Sequence, residues 1–286
     1  MTHKLSCHLM AVDVGNRAVK LGRFRVSIDA QRSGSTIDLQ LDGVYPTVVS
    51  GQQMRALGQD DPPPKRLEAL LLQLPASAHR WYVVSVNRQL ESQLANWIGQ
   101  RRQQDEYTLL TPGHFPQDVD VRFPQRVGTD RLAAAVAVNE LRSPERAAIV
   151  VDAGTAVTVD VVTSDGVFQG GAILPGIETA AEALAAATDA LPLIEHSDLS
   201  STPTPIGKST EEAIRSGIVW GLVGAVRELI SQITAEIPSE PEIYCTGGDG
   251  LHLARLIGRE LKFDPNLVLS GIALTGFRQL PRCNML

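Results

Sequence analysis

The sequence predicts an α/β fold built twice over, each half a mixed sheet flanked by helices. Two observations predict it. Short apolar runs with strand spacing alternate with segments of helical spacing along most of the 286 residues. One motif, an apolar strand ending in Asp-x-Gly and followed at once by two more strands, begins at His8 and returns at Ala148. Read as a duplication, this repeat divides the chain into 1–142 and 143–286. With 43% of residues hydrophobic and 20% charged, the composition is that of an ordinary globular protein and excludes disorder for the bulk of the chain.

The first run, His8 to Val14, ends on Gly15-Asn16, a pair that tolerates positive φ and turns the chain. Ala18 to Val26 alternates apolar and polar residues and pairs back as a hairpin. Ile37 to Val44 reads as a third strand beyond a Ser33-Gly34-Ser35 turn. Asp60-Asp61-Pro62-Pro63-Pro64 is a stiff loop. Helical spacing follows over Lys65 to Leu74, a buried strand over Trp81 to Val86, a helix over Gln89 to Arg101 and a strand over Tyr107 to Leu110. Pro and Gly make Thr111 to Arg126 irregular, and an Ala-rich helix runs from Asp130 to Leu141.

In the second half the strand from Ala148 is followed by a strand over Val157 to Val162, a Ser164-Asp165-Gly166 turn and a third strand through Val167 and Phe168. Thr179 to Ala190 has helical spacing. A long helix starts at Ser209, whose spacing to Glu212 makes a capping box, and runs towards Ile237. Its Gly217, Gly221 and Gly224 each cost about 0.8–1 kcal/mol relative to Ala, which points to close backbone contact with another element. Ile243 to Cys245 is a short strand before Thr246-Gly247-Gly248.

Charge and composition narrow the function. Lys and Arg number 26 against 32 Asp and Glu, and a net charge of −6 disfavours broad adhesion to nucleic acid or anionic membranes. A small-molecule partner fits better. No uncharged apolar run approaches the roughly 18 residues of a membrane span, and the start has too short an apolar stretch for a signal peptide, so a cytoplasmic location is expected. Cys7, Cys245 and Cys283 are too widely spaced for a metal knuckle or a disulfide framework and read as buried thiols. Gly207-Lys208-Ser209 mimics the end of a P-loop, but Pro203 and Pro205 prevent the strand that must precede it. No G-x-G-x-x-G follows a strand, so a Rossmann site has no support.

Three places carry chemistry. At the Asp13-Val14-Gly15-Asn16 turn, Gly lets backbone N–H groups approach an anion, and a strand-end Asp can hold hydrated Mg²⁺ directly or through water. Lys20, on the paired strand, is placed to reach phosphates. Such a turn alone is a commonplace hairpin. The second copy, Asp152-Ala153-Gly154-Thr155-Ala156-Val157-Thr158-Val159-Asp160, adds a hydroxyl and makes a pair of phosphate-gripping turns the stronger reading. Gly128-Thr129-Asp130-Arg131 stands at a loop-to-helix junction. There Asp130 is either a first-turn carboxylate stabilised by the helix dipole or the proton acceptor that phosphoryl transfer to a hydroxyl requires. Arg131 is its solvated neighbour, or the cation for a substrate carboxylate.

The unit of strand, Asp-x-Gly turn, two strands and helices resembles the actin-like (ribonuclease H-like) ATPase and sugar kinase superfamily, which implies two such domains around an ATP cleft. Within it, Asp13-x-Gly15-Asn16, Gly128-x-Asp130-Arg131, Asp152-x-Gly154-Thr155-Ala156-x-Thr158-x-Asp160, Gly170 to Gly176, Gly207-Lys208-Ser209-Thr210 and Thr246-Gly247-Gly248 are similar in order and spacing to the type III pantothenate kinases. That resemblance implies transfer of the ATP γ-phosphoryl group to pantothenate, giving 4'-phosphopantothenate in coenzyme A synthesis. It places Asp13, Val14, Gly15, Asn16, Arg17, Ala18, Val19, Lys20 and Thr155 at ATP, with Asp13 on Mg²⁺ through water, and gives Asp152 to a monovalent cation, K⁺ or NH₄⁺. Gly128, Thr129, Asp130, Arg131 and Thr210 would meet pantothenate, Asp130 as proton acceptor, and Thr246-Gly247-Gly248 the adenosine. A homodimer is implied as well, with Trp220, Val223 and Val226 offering apolar area on the glycine-bearing helix.

Two residues depart from the family pattern. Arg17 stands where a Ser or Thr is usual, and Val121 where a Tyr often contacts pantothenate, a hydrogen bond worth about 0.5–1.5 kcal/mol. The alternatives are a nucleotide-binding accessory or regulatory protein on the same fold, and a kinase for another small hydroxy acid.

Overall fold

A computed structural model describes residues 5–29, 36–48, 65–74, 79–258 and 260–280. The Ser33-Gly34-Ser35 turn, the Asp60 to Pro64 loop, Cys283 and the side chain of Cys7 lie outside the described residues. Contacts divide the chain into two units: Met1–Pro116 with Phe123–Ala137 and Leu267–Leu286, and Gln117–Arg122 with Val138–Asn266.

The first unit is built on strands β1 (Leu5–Val14), β2 (Ala18–Asp29), β3 (Thr36–Val48), β4 (Arg80–Ser85) and β5 (Glu106–Leu109), in the order β3-β2-β1-β4-β5. β1, β2 and β3 run antiparallel as successive hairpins, whereas β4 and β5 join parallel to β1. Helices α1 (Lys65–Leu71) and α2 (Arg88–Arg101) supply the crossovers. Asn87 caps α2 by accepting from Leu90 N–H, and Leu90, Leu94, Trp97 and Ile98 pack with Met10, Val12, Val14, Trp81 and Val83 on one face of the sheet. Helices α3 (Thr129–Leu141) and α8 (Leu267–Arg278) serve the unit too, and α8 lies on β1, β2 and β4. Contact is close there: a Cβ on Gly22 would meet Leu269, one on Gly276 would meet Tyr82, and one on Gly271 would lie 1.8 Å from the Ala133 carbonyl oxygen of α3.

In the second unit β6 (Ala148–Ala153), β7 (Ala156–Val162), β8 (Phe168–Pro175), β9 (Glu242–Thr246) and β10 (Lys262–Phe263) take the order β10-β9-β6-β7-β8. This is the first sheet again, read from the other edge: β6, β7 and β8 are antiparallel, and β9 and β10 are parallel additions. The duplication expected from the two Asp-x-Gly strands is therefore observed as two mixed sheets of one topology. Helices α4 (Ile177–Ala186), α5 (His196–Leu199), α6 (Thr210–Glu236) and α7 (Gly250–Ile257) complete the unit. One sheet face, with Ile149, Val151, Val157, Val159 and Ile243, is covered by Ile177, Val219, Val223, Val226, Ile230 and Leu253 of these helices. α6 is long and apolar enough to cross a membrane by length and composition, and its inward positions Ile214, Val219, Leu222, Val223, Val226 and Ile230 belong to this core. On the opposite face Glu242 accepts from Ser143 N–H and Oγ, Tyr244 Oη and Lys262 Nζ, and these bonds hold its carboxyl well below the usual range against burial.

The structure amends four expectations. Leu267–Leu286 joins the first unit instead of a continuous second one, because α8 is buried on nearly every side against the first sheet. The helix expected over Thr179 to Ala190 occupies Ile177–Ala186, beginning as soon as Gly176 leaves the sheet and ending before Asp189. The capping box at Ser209 forms in altered shape: Ser209 Oγ accepts from Glu212 N–H, while the Glu212 carboxylate accepts from Lys208 N–H. Gly217, Gly221 and Gly224 are exposed, and nothing in the described chain lies within 4 Å of a Cβ built on them.

Candidate active site

In the first unit the β1–β2 turn is closed by Gly15 N–H donating to the Ala18 carbonyl at 2.9 Å. A Cβ on Gly15 would sit 3.0 Å from that oxygen, a tight approach that glycine relieves. Register pairs Val14 with Val19 and Asp13 with Lys20. Directly paired residues point to one face, so a carboxylate and an ammonium stand side by side where their strand neighbours Val12, Val14, Val19 and Leu21 are buried on the other. Ala11 and Gly22, one step back in the same register, face α8. Asp13 and Lys20 thus lie on the side of the sheet that carries α8 and, packed on it, α3.

Gly128 ends the loop before α3, its carbonyl accepting from Leu132 N–H at 3.2 Å. Asp130 is in the first turn, and its Oδ1 accepts from Arg131 N–H at 2.9 Å. A Cβ on Gly128 would lie 2.5 Å from that same Oδ1, so the missing side chain leaves room for the carboxylate. Burial pushes the Asp130 carboxyl above the usual value, opposed by the Arg131 N–H bond and charge. Desolvation outweighs the hydrogen bond and charge of the neighbouring Arg131. A carboxylate raised in this way is a stronger proton acceptor.

In the second unit Gly154 N–H donates to the Ala156 carbonyl at 3.0 Å. Asp152 pairs with Thr158 of β7 and Thr246 of β9, so one carboxylate and two hydroxyls share a face at the end of three neighbouring strands. Two glycines press other chain segments onto this turn. A Cβ on Gly176 would fall 2.1 Å from the Gly154 carbonyl oxygen, and Gly247, at φ +94°, would place one 2.2 Å from the Ala153 oxygen. The Thr155 carbonyl accepts from Gly176 N–H at 3.0 Å and from Thr179 Oγ1 at 2.7 Å.

A model of the type III pantothenate kinase family matches residues 9–232. The type III pantothenate kinase of Alkalilimnicola ehrlichii is 33% identical over 268 residues, 93% of this chain and 96% of the relative. That of Moorella thermoacetica is 33% identical over 281 residues, covering 93% of this chain and 97% of the relative. The chain belongs to the type III pantothenate kinase family. Among solved structures, a putative 2-dehydro-3-deoxygalactonokinase protein from Sinorhizobium meliloti matches with a TM-score of 0.51 at 13% identity, covering 96% of this chain and 99% of that one, a likeness of fold.

Set in this family's chain, the residues singled out from sequence fall into separate clusters. Asp13 and Lys20 meet across the β1–β2 ladder; Gly128, Thr129, Asp130 and Arg131 form the start of α3; Asp152 and Thr155 belong to the β6–β7 turn. Thr210 opens α6 and lines an open apolar groove of about 380 Å³ with Leu184, Leu191, Ala213, Ile214, Gly217 and Ile218. Sequence reasoning missed this groove, because its walls come from two helices and their connection. Val121 packs beside Gly170, 3.2 Å from where a Cβ would stand, and is directed at β8.

The connection from α4 to α6 is pinned at many points. Ile194 and Leu199 are buried in the core. Trp220 Nε1 donates to the Pro203 carbonyl at 3.1 Å, Ser216 Oγ to that of Pro205 at 2.8 Å, and Arg215 to Ser201 Oγ at 2.8 Å. His196 on α5 meets Asp249, between β9 and α7, with Nε2 3.0 Å from Oδ1.

Proposed function

We propose that this chain transfers the γ-phosphoryl group of ATP to the primary hydroxyl of pantothenate, yielding 4'-phosphopantothenate and ADP in coenzyme A synthesis. The observation that carries the reading is Asp130: a carboxylate raised by burial, with room made for it by Gly128, in a chain of this family. Asp130 accepts the hydroxyl proton as the oxygen bonds to the γ-phosphorus and the bond to the ADP oxygen breaks. Arg131 offers its guanidinium to the substrate carboxylate. Asp13 through Lys20 contact the ATP phosphates, and the hydroxyl of Thr155 adds a further contact; Gly128, Thr129 and Thr210 contact pantothenate.

Two ions are part of the proposal. Mg²⁺ supplies charge neutralisation on the phosphates when bound, and Asp13 would hold it through water. The oxygen-only set of Asp152, Thr158 and Thr246 fits a large, weakly hydrated monovalent ion, K⁺ or NH₄⁺, better than a transition metal. Among the described residues no cluster of three His, Cys, Asp or Glu forms a competing metal site. The protein would work in the cytoplasm as a homodimer, with Gly217, Gly221 and Gly224 of α6 admitting the second copy and Thr210 near the subunit boundary; of the apolar residues expected to face that copy, Val223 and Val226 are instead buried in the chain's own core and Trp220 is partly buried against it.

Coupled ADP release, measured with ATP and with pantothenate present and absent, tests the reading. Release that depends on pantothenate supports it. Pantothenate-independent hydrolysis, binding of ATP without turnover, or turnover only with another hydroxy acid replaces it.

A further inference from the structure

Asp249 occupies the N-cap position of α7, where an Asp ordinarily accepts from the backbone N–H two or three residues on. Here it does not. Its backbone is helical, at φ −91° and ψ 0°, and its side chain makes no capping bond. The carboxylate instead meets His196 Nε2 at 3.0 Å, across 53 residues of sequence. Meanwhile its N–H donates to the Ala153 carbonyl at 3.1 Å, the oxygen against which Gly247 is pressed. The segment from Gly247 to Asp249 is therefore a buttress for the end of β6, directly before Gly154 and Thr155. His196 holds that buttress from outside. Its own helix is fixed by buried Leu199, and the connection beyond it is anchored by side chains of α6.

We propose that His196 is a positioning residue for the nucleotide: by holding Asp249 it keeps the β9–α7 turn seated on Ala153, and with it the shape of the Asp152 to Thr155 turn. This rests on the reading of Thr155 as an ATP contact. With Nε2–H donating to the carboxylate, the pair is a directional tether between α5 and the turn. A carboxylate that capped α7 locally would leave the turn free to shift without α5. The role predicts an effect on nucleotide affinity and little effect on the phosphoryl-transfer step, because His196 reaches the reacting atoms through no bond of its own.

The test uses the full chain and three forms: unaltered, His196→Ala and His196→Gln, whose amide nitrogen takes the place of Nε2. ATP affinity is titrated directly without pantothenate, and kcat and the KM values are then measured with both substrates. The expected result is a Kd and KM for ATP raised about three- to fivefold in His196→Ala, as for a half-exposed charge-assisted pair. The kcat and the pantothenate KM should stay within about twofold, and His196→Gln should restore ATP affinity. ATP binding by the unaltered chain that is unchanged in His196→Ala, even with a lowered melting temperature, overturns the role of His196 and leaves the kinase reading intact. No ATP binding by the unaltered chain overturns both.

Discussion

At Asp130, activity and stability pull in opposite directions. Burial raises the carboxyl above its ordinary value of 3.8, so at neutral pH the native state carries an ionised group it would hold more easily protonated. Below 3.8 both states are protonated and there is no penalty. As pH climbs to the raised native value the penalty grows, and above it the full cost remains. Asp130→Asn should therefore melt no lower than the unaltered chain at pH 7, and its advantage should vanish in acid. The same change should lower kcat about 10²- to 10⁴-fold with ATP affinity nearly constant, because the amide cannot take the proton. A first-turn carboxylate that only served the helix dipole would show the reverse: about 0.3–1 kcal/mol of stability lost and turnover kept. The acid limb of the kcat/KM profile, which reports the free enzyme, should lie above the range of a free Asp; a limb at or below it would remove Asp130 as the proton acceptor. Gly128 was legible as part of a motif, but its reason was not, since the clash of an added Cβ with Asp130 Oδ1 exists only once α3 has begun.

Among elements, the two Asp-x-Gly hairpins differ by one residue. Asp13 pairs with Lys20, and Asp152 pairs with Thr158, so Asn16-Arg17 of the first turn stands against the single Thr155 of the second, and Lys20 stands where the second copy has a hydroxyl. The first turn presents cations and the second neutral oxygens around its Asp. Activity should accordingly rise when K⁺ or NH₄⁺ replaces Na⁺, and Asp152→Asn should abolish the difference; equal rates in all three salts would withdraw the ion from Asp152. The close fit of α8 to α3 gives another test. A Cβ on Gly271 would enter the Ala133 carbonyl, so Gly271→Ala should cost about 1–3 kcal/mol of overpacking and lower kcat as well, because α3 carries Asp130. Unchanged melting and turnover would show that α3 and α8 part freely. β2 was readable because period 2 survives one-sided burial, β1, β4, β6 and β9 as short apolar runs buried on both faces, and α2 because Leu90, Leu94, Trp97 and Ile98 follow one stripe. Nothing comparable marks α8: Leu267 to Leu269 and Gly271 to Phe277 are all buried, and a helix buried on every side has no period to read. Glycine was readable as a punctuator but not as a contact, since Gly171, Gly176 and Gly247 touch backbone whereas Gly217, Gly221 and Gly224 face open space.

For the whole molecule, the open face of α6 is the feature that assembly has to explain. Interior glycines in an exposed helix cost stability in a single chain, which a second copy packed there would offset. Light scattering of the active protein should give twice the mass of one chain, and Gly221→Leu should lower it; a monomeric mass at active concentrations would sink the dimer. The repeat disclosed two units in the sequence, but the division at residue 142 followed the motif and not the packing, and packing returns Leu267–Leu286 to the first unit. That return bears on biosynthesis. The ribosome delivers β1 through β5 first, yet the helix that covers their second face emerges only after all of Val138–Asn266 has been made. The later unit can close its core while the earlier one waits with an uncovered sheet, so the order of completion runs against the order of synthesis, and the early half is the one that needs protection from premature association.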